Sequence, residues 1–409
     1  MEQPVKLLSI PADSYADYRY DVIFKAYKWD PQVEDHNTVS KYVAVLNRET
    51  AARLEAWAEQ LSEETMRMEE ALAGNLAPAK ELELPKKIRR TLGRLPGYQR
   101  SRNVRLMRFD FHPTETGWMV SEVNSDVPGG LAEASVLPQI AAQYFSGYQP
   151  GRHVAQSLLH AFEARIKKGG TIAFVHATSY ADDRQVMQFI GDYFTLHGFR
   201  ALFAAPDHIR WEGKKAVSIL EGQEGEVDGI VRFFPLEWLT NLPRKSKWEG
   251  YYDCETPSCN HPIAMLTQSK RLPLIWNRLG VDHPMWDKLL PETIDPRRMK
   301  RPQDGWILKP ALGRVGEGIS IQGVMPPKEM RKVEKAARRQ PGDWVAQRMF
   351  HSVPLVAGEN ETYHLCVGVF TVDGKCAGFY GRISPHPRID EKARDIPILL
   401  PKGGNSVGR

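Results

Sequence analysis

The sequence predicts an α/β protein with a parallel-sheet middle lobe and an antiparallel C-terminal lobe, and three observations predict it. First, the compact apolar runs TIAFVHA (171–177), ALFAAP and GIVRFFP (229–235) alternate with helical or turn sequence. That is the rhythm of a parallel sheet covered by helices. Second, DWVAQRMF, HLCVGVFTVDGKCAGFYGRIS and DIPILLP read as closing antiparallel strands, with a hairpin turn at Asp373-Gly374. Third, WILKPALGRVGEGISIQG reads as strand, glycine loop, strand. These runs divide the chain into residues 1–150, 151–260 and 261–409.

Taken in order, the first part opens with the mixed polar and aromatic SYADYRYDVIFKAYKWD. A helix follows from about Glu49 to Leu72, with Leu54, Trp57, Leu61, Met66 and Met68 set among charges. Pro78 and Pro85 break the pattern. VRLMRFDF and GWMVSEVN then form two strands around a turn at Thr114–Gly117. In the middle part Lys168-Gly-Gly introduces the first apolar strand, and the helix RQVMQFIGDYFTLHG ends at Gly198. The last part is expected to hold a helix over LPLIWNRLG, a Pro-rich connector and the charged helix EMRKVEKAARRQ.

The 409 residues, 42% hydrophobic and 26% charged, suit a folded globular protein of two or three lobes. No apolar run approaches the ~20 residues that span a bilayer. The start, MEQPVKLLSIPADSY, lacks the pattern of a signal peptide. The four cysteines are too few for a disulfide scaffold. Cys254 and Cys259, with His261 behind them, lack a second ligand pair at structural-zinc spacing. Free thiols in a reducing cytoplasm are the expectation. The formal charge is +5, yet nine basic residues and no acidic one lie between Lys86 and Arg108. A solvated basic face is the first reading of this run; polyanion binding, or contact of one or two members with an anionic substrate, are the alternatives.

Three constellations carry chemistry. In RFDF…EVN, period-two alternation puts Arg108 with Asp110 on one face, and Glu122 with Asn124 on one face, which a hairpin can bring together. Two carboxylates and an amide oxygen suit magnesium, though strand-borne charges can equally be solvated or salt-bridged. The loop Lys309-Pro-Ala-Leu-Gly313-Arg314-Val-Gly316-Glu-Gly318 puts its lysine ahead of the glycines, unlike a Walker loop. A lid over a triphosphate and a structural β-hairpin are the two accounts of it. The third set is Lys270, Arg314 and Arg382, single cations within or beside apolar segments.

In this order these motifs resemble the synthetase domain of the glutathionylspermidine synthase family, ATP-grasp ligases. The matching stretches are RFDFHPTETGWMVSEVNSD, NHPIAMLTQSKRLPLIW, WILKPALGRVGEGISI, DWVAQRMF and GFYGRIS…DIPILL. The resemblance implies a permuted ATP-grasp fold. Its metal-binding strands precede the nucleotide lysines, its middle lobe is a pre-ATP-grasp unit on the substrate side, and residues 261–409 form the nucleotide-binding lobe. It further implies that Asp110, Glu122 and Asn124 hold magnesium, with two ions, and that Lys270 and Lys309 contact ATP phosphates. Gly313, Gly316 and Gly318 would form the flap and Gln347 would border the adenine. Arg108, Arg314 and Arg382 would gather around the transferred phosphoryl group.

Two departures stand out. Where glutathione-using members carry serines after the E-x-N, this chain reads Ser125-Asp126-Val127-Pro128-Gly129-Gly130. The acid substrate is therefore expected to differ. Bifunctional members also have a cysteine amidase; with no cysteine before Cys254, this sequence is expected to lack that activity. Asp182 and Asp183 lie where the family meets its amine, with Glu237 a weaker candidate; acids at a helix start are the other account. The expected function is an ATP- and magnesium-dependent ligase joining a small-molecule carboxylate to an amine, peptide-like acid and polyamine being the implied classes. Nucleic acid and membrane are not expected partners. The alternative is a non-catalytic nucleotide-binding protein that retains the fold.

Overall fold

Near-continuous burial along Glu361–Val372 and Lys375–Ser384 makes these two long strands the centre of the molecule, which is a computed structural model. It describes residues 3–33, 35–94, 98–242, 247–299, 305–313, 327–358 and 361–403. The two strands join at Asp373 (φ 49°) and Gly374 (φ 84°), the left-handed pair that an Asp-Gly hairpin turn requires. Leu106–Thr114 pairs with the outer edge of Glu361–Val372, and Gly117–Asn124 pairs with Leu106–Thr114 in turn. Leu355–Ala357 and Arg394–Ile396 complete an antiparallel sheet drawn from both halves of the chain.

The middle lobe is the parallel sheet that the alternating runs predict. Its order is Ser258–Cys259, Gly229–Phe233, Thr171–His176, Arg200–Ala204, every neighbour parallel. The helix Ala181–Leu196 lies close on it at Gly191, where a Cβ would come within 2.5 Å of the Phe203 ring.

Two expectations are corrected. DIPILLP keeps antiparallel neighbours throughout, Arg394–Ile396 against Lys375–Ser384 and Ile398–Pro401 against Tyr148–Pro150, but its second half also gains a parallel one. After Pro397, which has no N–H to continue the ladder, Ile398–Pro401 crosses to another sheet and runs parallel to Tyr42–Leu46. LPLIWNRLG is not an α-helix but two 3₁₀ turns, Leu272–Leu274 and Trp276–Arg278, interrupted by Ile275 at φ −125°. Pro273 supplies no donor to an i→i−4 ladder in so short a segment.

The long helix Arg48–Gly74 starts at Asn47, whose side chain accepts from Thr50 N. It buries two carboxylates as well as its apolar face. Glu64 accepts from Met285 N and Trp286 N, and Glu69 pairs with Arg105. The basic run is thus not one solvated face. Arg105 and Arg108 point inward, Arg100 pairs with Glu63 at 2.8 Å, and Lys86, Lys87 and Arg90 stay exposed. All four cysteines are free thiols. No helix among the described residues is long and apolar enough to cross a membrane.

Candidate active site

The hairpin register assembles the first constellation. Asp110 faces Glu122 and Arg108 faces Asn124, just before a bulge between Asp110 and Phe111. Arg108 grips Asp110 with two bonds, Nε to Oδ1 at 2.7 Å and Nη2 to Oδ2 at 2.9 Å, and Nη1 donates to Gly129 O at 2.6 Å. Asn124 Nδ2 donates to Asp110 Oδ2 at 3.0 Å, which leaves its carbonyl oxygen as an acceptor. Glycine makes room here: a Cβ on Gly368, opposite Asp110 on the next strand, would lie 2.7 Å from Arg108 Cδ.

The nucleotide candidates meet the same carboxylates from the other side. Lys270 Nζ lies 2.9 Å from Glu122 Oε2 and donates to Gly313 O at 2.6 Å. Its neighbour Arg271 is buried and donates to the Glu81, Pro341 and Trp344 carbonyls, pegging Lys270 in place. Lys309, on Trp306–Pro310, donates to Ser121 O at 3.0 Å and Gln347 Oε1 at 2.7 Å. Gln347 passes the chain on, its Nε2 donating to Thr293 Oγ1 at 3.0 Å.

Burial opposes the charge on Glu122, but Lys270 and Lys309 outweigh it and hold its carboxyl at about 2. Burial lowers the Lys309 ammonium to about 8, with Lys270 adding to the effect against the pull of Glu122 and Asp110. Burial likewise takes His112, 3.0 Å from Ser121 Oγ, to about 4, so it sits there as neutral imidazole.

A cavity of about 770 Å³ opens onto this group. Arg108, Asp110, Glu122, Asn124, Lys309 and Arg382 all line it, and so do Asp182 and Asp183. Glu237 is not among its lining residues, although Trp238 is. A second, narrow cavity between Lys270, Gln347, Trp276 and Trp286 meets the first at Ser121, Glu122 and Lys309. Gly313 is described, but Arg314, Gly316 and Gly318 lie outside the described residues. Arg382 donates to the Ala393 and Asp390 carbonyls and keeps a buried Nε without a partner among the described residues.

The donor set of Asp110, Glu122 and Asn124 is all oxygen, which fits a small hard cation. No cluster of three or more His, Cys, Asp or Glu side chains suited to a metal occurs among the described residues. Phosphate oxygens and water would have to complete a shell here. Three cations, Arg108, Lys270 and Lys309, act on the two carboxylates, an excess that suits a polyphosphate.

The loop after Asn124 explains the missing hydroxyls. Ser125 is fully buried, its Oγ 2.6 Å from Thr267 Oγ1 and bonded to Arg105, so it cannot serve the cavity. Val127, Gly129 and Gly130 line the wall instead. Gly130 has φ 84°, and a Cβ on it would strike the Tyr380 ring at 2.8 Å.

Sequence reasoning missed Lys28, Asp30, Glu133, Asp395 and Tyr380, which line the same cavity. A signal existed for one of them. Glu133 interrupts the apolar LAEASVLPQIA, and a polar residue in an apolar run is the informative exception.

The model of the glutathionylspermidine synthase preATP-grasp family matches residues 15–400, and the chain belongs to that family. A protein of Haemophilus influenzae named "Putative acid–amine ligase" is 24% identical over 222 residues, 52% of this chain. The match covers 54% of that protein, so this chain spans about half the length of the curated relative. A solved structure titled "Putative gamma-glutamylcysteine synthetase", from Methylobacillus flagellatus, aligns over 82% of this chain and 86% of that one, with a TM-score of 0.41 and 12% identity.

Proposed function

We propose that the protein is an ATP- and magnesium-dependent acid–amine ligase that activates a carboxylate as an acyl phosphate. The observation that carries this reading is the convergence of Arg108, Asp110, Glu122, Asn124, Lys270 and Lys309 at the junction of the two cavities. Family membership supports the ATP-grasp ligase class. In this reading residues 1–150 carry the metal site, 151–260 face the substrate, and 261–409 bind the nucleotide in the permuted order.

Asp110, Glu122 and Asn124 would hold magnesium, which would supply neutralisation of phosphate charge during transfer. Lys270, at Glu122, and Lys309, between Ser121 O and Gln347, would take the phosphate oxygens, while Gln347 and the narrow cavity would border the adenine. The substrate carboxylate attacks the γ-phosphorus and ADP leaves. The amine then attacks the acyl carbon, loses a proton, and phosphate leaves. Arg108 and Arg382, joined by Arg314 from the flap, would hold the transferred phosphoryl group, since planar guanidinium binds phosphate in bidentate fashion. The wall at Val127–Gly130 offers no side-chain hydroxyl, which supports an acid other than glutathione.

The test is ADP release across peptides, acidic amino acids and amines. Release that needs both an acid and an amine, and that vanishes in Glu122→Gln and Lys309→Ala proteins of unchanged fold, is the expected result. ATP binding with no release for any pair would favour the non-catalytic alternative.

A further inference from the structure

The large cavity has a second charged end. Asp30, Glu133, Asp182, Asp183 and Asp395 line it, and the Lys28 ammonium stands among them. Lys28 Nζ is 3.1 Å from Glu133 Oε1, 3.1 Å from Asp395 Oδ2 and 3.5 Å from Asp30 Oδ1. Its side chain is only 10% exposed, and Glu133 and Asp395 are buried with it. Charges are buried at this depth only when paired.

Lys28 is held there from several elements. Tyr27, at φ 55°, donates its hydroxyl to Asp192 Oδ2 at 2.8 Å, and Trp29 N donates to Gln185 Oε1 at 2.9 Å. Gln185 Nε2 in turn donates to Asp30 Oδ1 at 2.8 Å. On the opposite side Tyr380 donates to Asp395 Oδ1 at 2.6 Å, and the Arg108 guanidinium lies 4.9 Å over the Tyr380 ring. The Lys28 cluster and the Arg108 cluster therefore share a wall.

The pairing is unfinished. Glu133 is 8% exposed, and its Oε2 is buried with no hydrogen-bond partner among the described residues. Burial and the nearby Asp30 push the Asp182 carboxyl upward, against the pull of Lys28. The Lys28 ammonium is shared among Asp30, Glu133 and Asp395, which leaves a place for another positive charge on the Asp30–Asp182 side.

We propose that Lys28 is a built-in ammonium filling the inner half of the amine pocket, so that the acceptor is a short diamine rather than a triamine. One nitrogen of the diamine is held at Asp30 and Asp182, and the other is left to attack. The inference rests on the ligase reading for calling this end the amine pocket.

Calorimetric titration of the whole chain with 1,3-diaminopropane and with spermidine, without ATP or acid, reads the pocket alone. The wild type is expected to bind the diamine about tenfold tighter than spermidine, and Lys28→Met to reverse that order. Because Lys28→Met strands Glu133 and Asp395, the double variant Lys28→Met/Glu133→Gln is titrated beside it, with circular dichroism reporting the fold. Equal or tighter spermidine binding by the wild type overturns the proposal without any variant. An unchanged preference in a folded variant overturns it as well. ADP release with the same amines tests the ligase reading separately. A preference that switches while no acid–amine pair releases ADP sinks the ligase reading and keeps Lys28 as an amine-selecting residue. ADP release with a preference indifferent to Lys28 does the reverse.

Discussion

At the residue scale the account turns on a few side chains whose freedom is removed by neighbours. Arg108 is clamped by Asp110 and Gly129 O, and its stem passes over Gly368. Gly368→Ala is therefore expected to destabilise the fold by about 1–3 kcal/mol through overpacking. The same displacement is expected to slow ADP formation about a hundredfold. Thermal melts and turnover measured on one preparation check both. Lys309 gives a pH prediction. Its ammonium, lowered to about 8 by burial, loses its charge as pH rises through that value, so ATP affinity should fall above pH 8. Binding measured from pH 6.5 to 9.5 should show that fall in the wild type and a flatter curve in Lys309→Arg; parallel curves would assign the titration to another group.

At the element scale, local pattern made some pieces legible and left others hidden. The apolar runs of the parallel lobe and the Asp-Gly turn are local signals, and the sheet and hairpin follow from them. The facing of Asp110 and Glu122 follows from alternation and one turn. Pro273 is visible too, but an apolar helical pattern does not register the donor it removes from so short a segment, and 3₁₀ turns stand there. One short element carries a stability prediction. His261 caps the 3₁₀ turn Pro262–Ala264 by accepting from Ile263 N through Nδ1 at 3.1 Å, with its ring against Tyr98. Burial, reinforced by Arg232, Arg105 and Arg102, lowers its pKa to about 3. A depressed folded pKa means that the unfolded chain takes up a proton first. Stability is then full above about pH 6.5 and is lost as pH falls from there toward 3. Denaturant melts of the wild type and His261→Asn across that window should diverge at neutral pH and converge in acid.

At the scale of the whole molecule the site is built from distant parts, which is why its second half escaped the sequence. Lys28 meets Glu133 and Asp395 across separations of 105 and more residues, and no periodicity encodes such a meeting. The loop after Asn124 is anchored the same way. Asp126 pairs with Arg232 of the parallel lobe, both fully out of solvent, and Asn260 Nδ2 donates to Asp126 O at 2.8 Å. Asp126→Asn leaves Arg232 uncompensated and is expected to cost about 3–5 kcal/mol, read by chemical denaturation. A loss under about 1 kcal/mol would mean that the two lobes are not tied through this pair.

The central claim is activation of a carboxylate by phosphoryl transfer, and the direct measurement follows oxygen. With the acid substrate labelled by ¹⁸O in its carboxylate, phosphorus NMR of the products reports where the label goes. The account predicts one ¹⁸O in the inorganic phosphate released per turnover, and none in the nucleotide. Label in AMP, or phosphate free of label while amide forms, would contradict it.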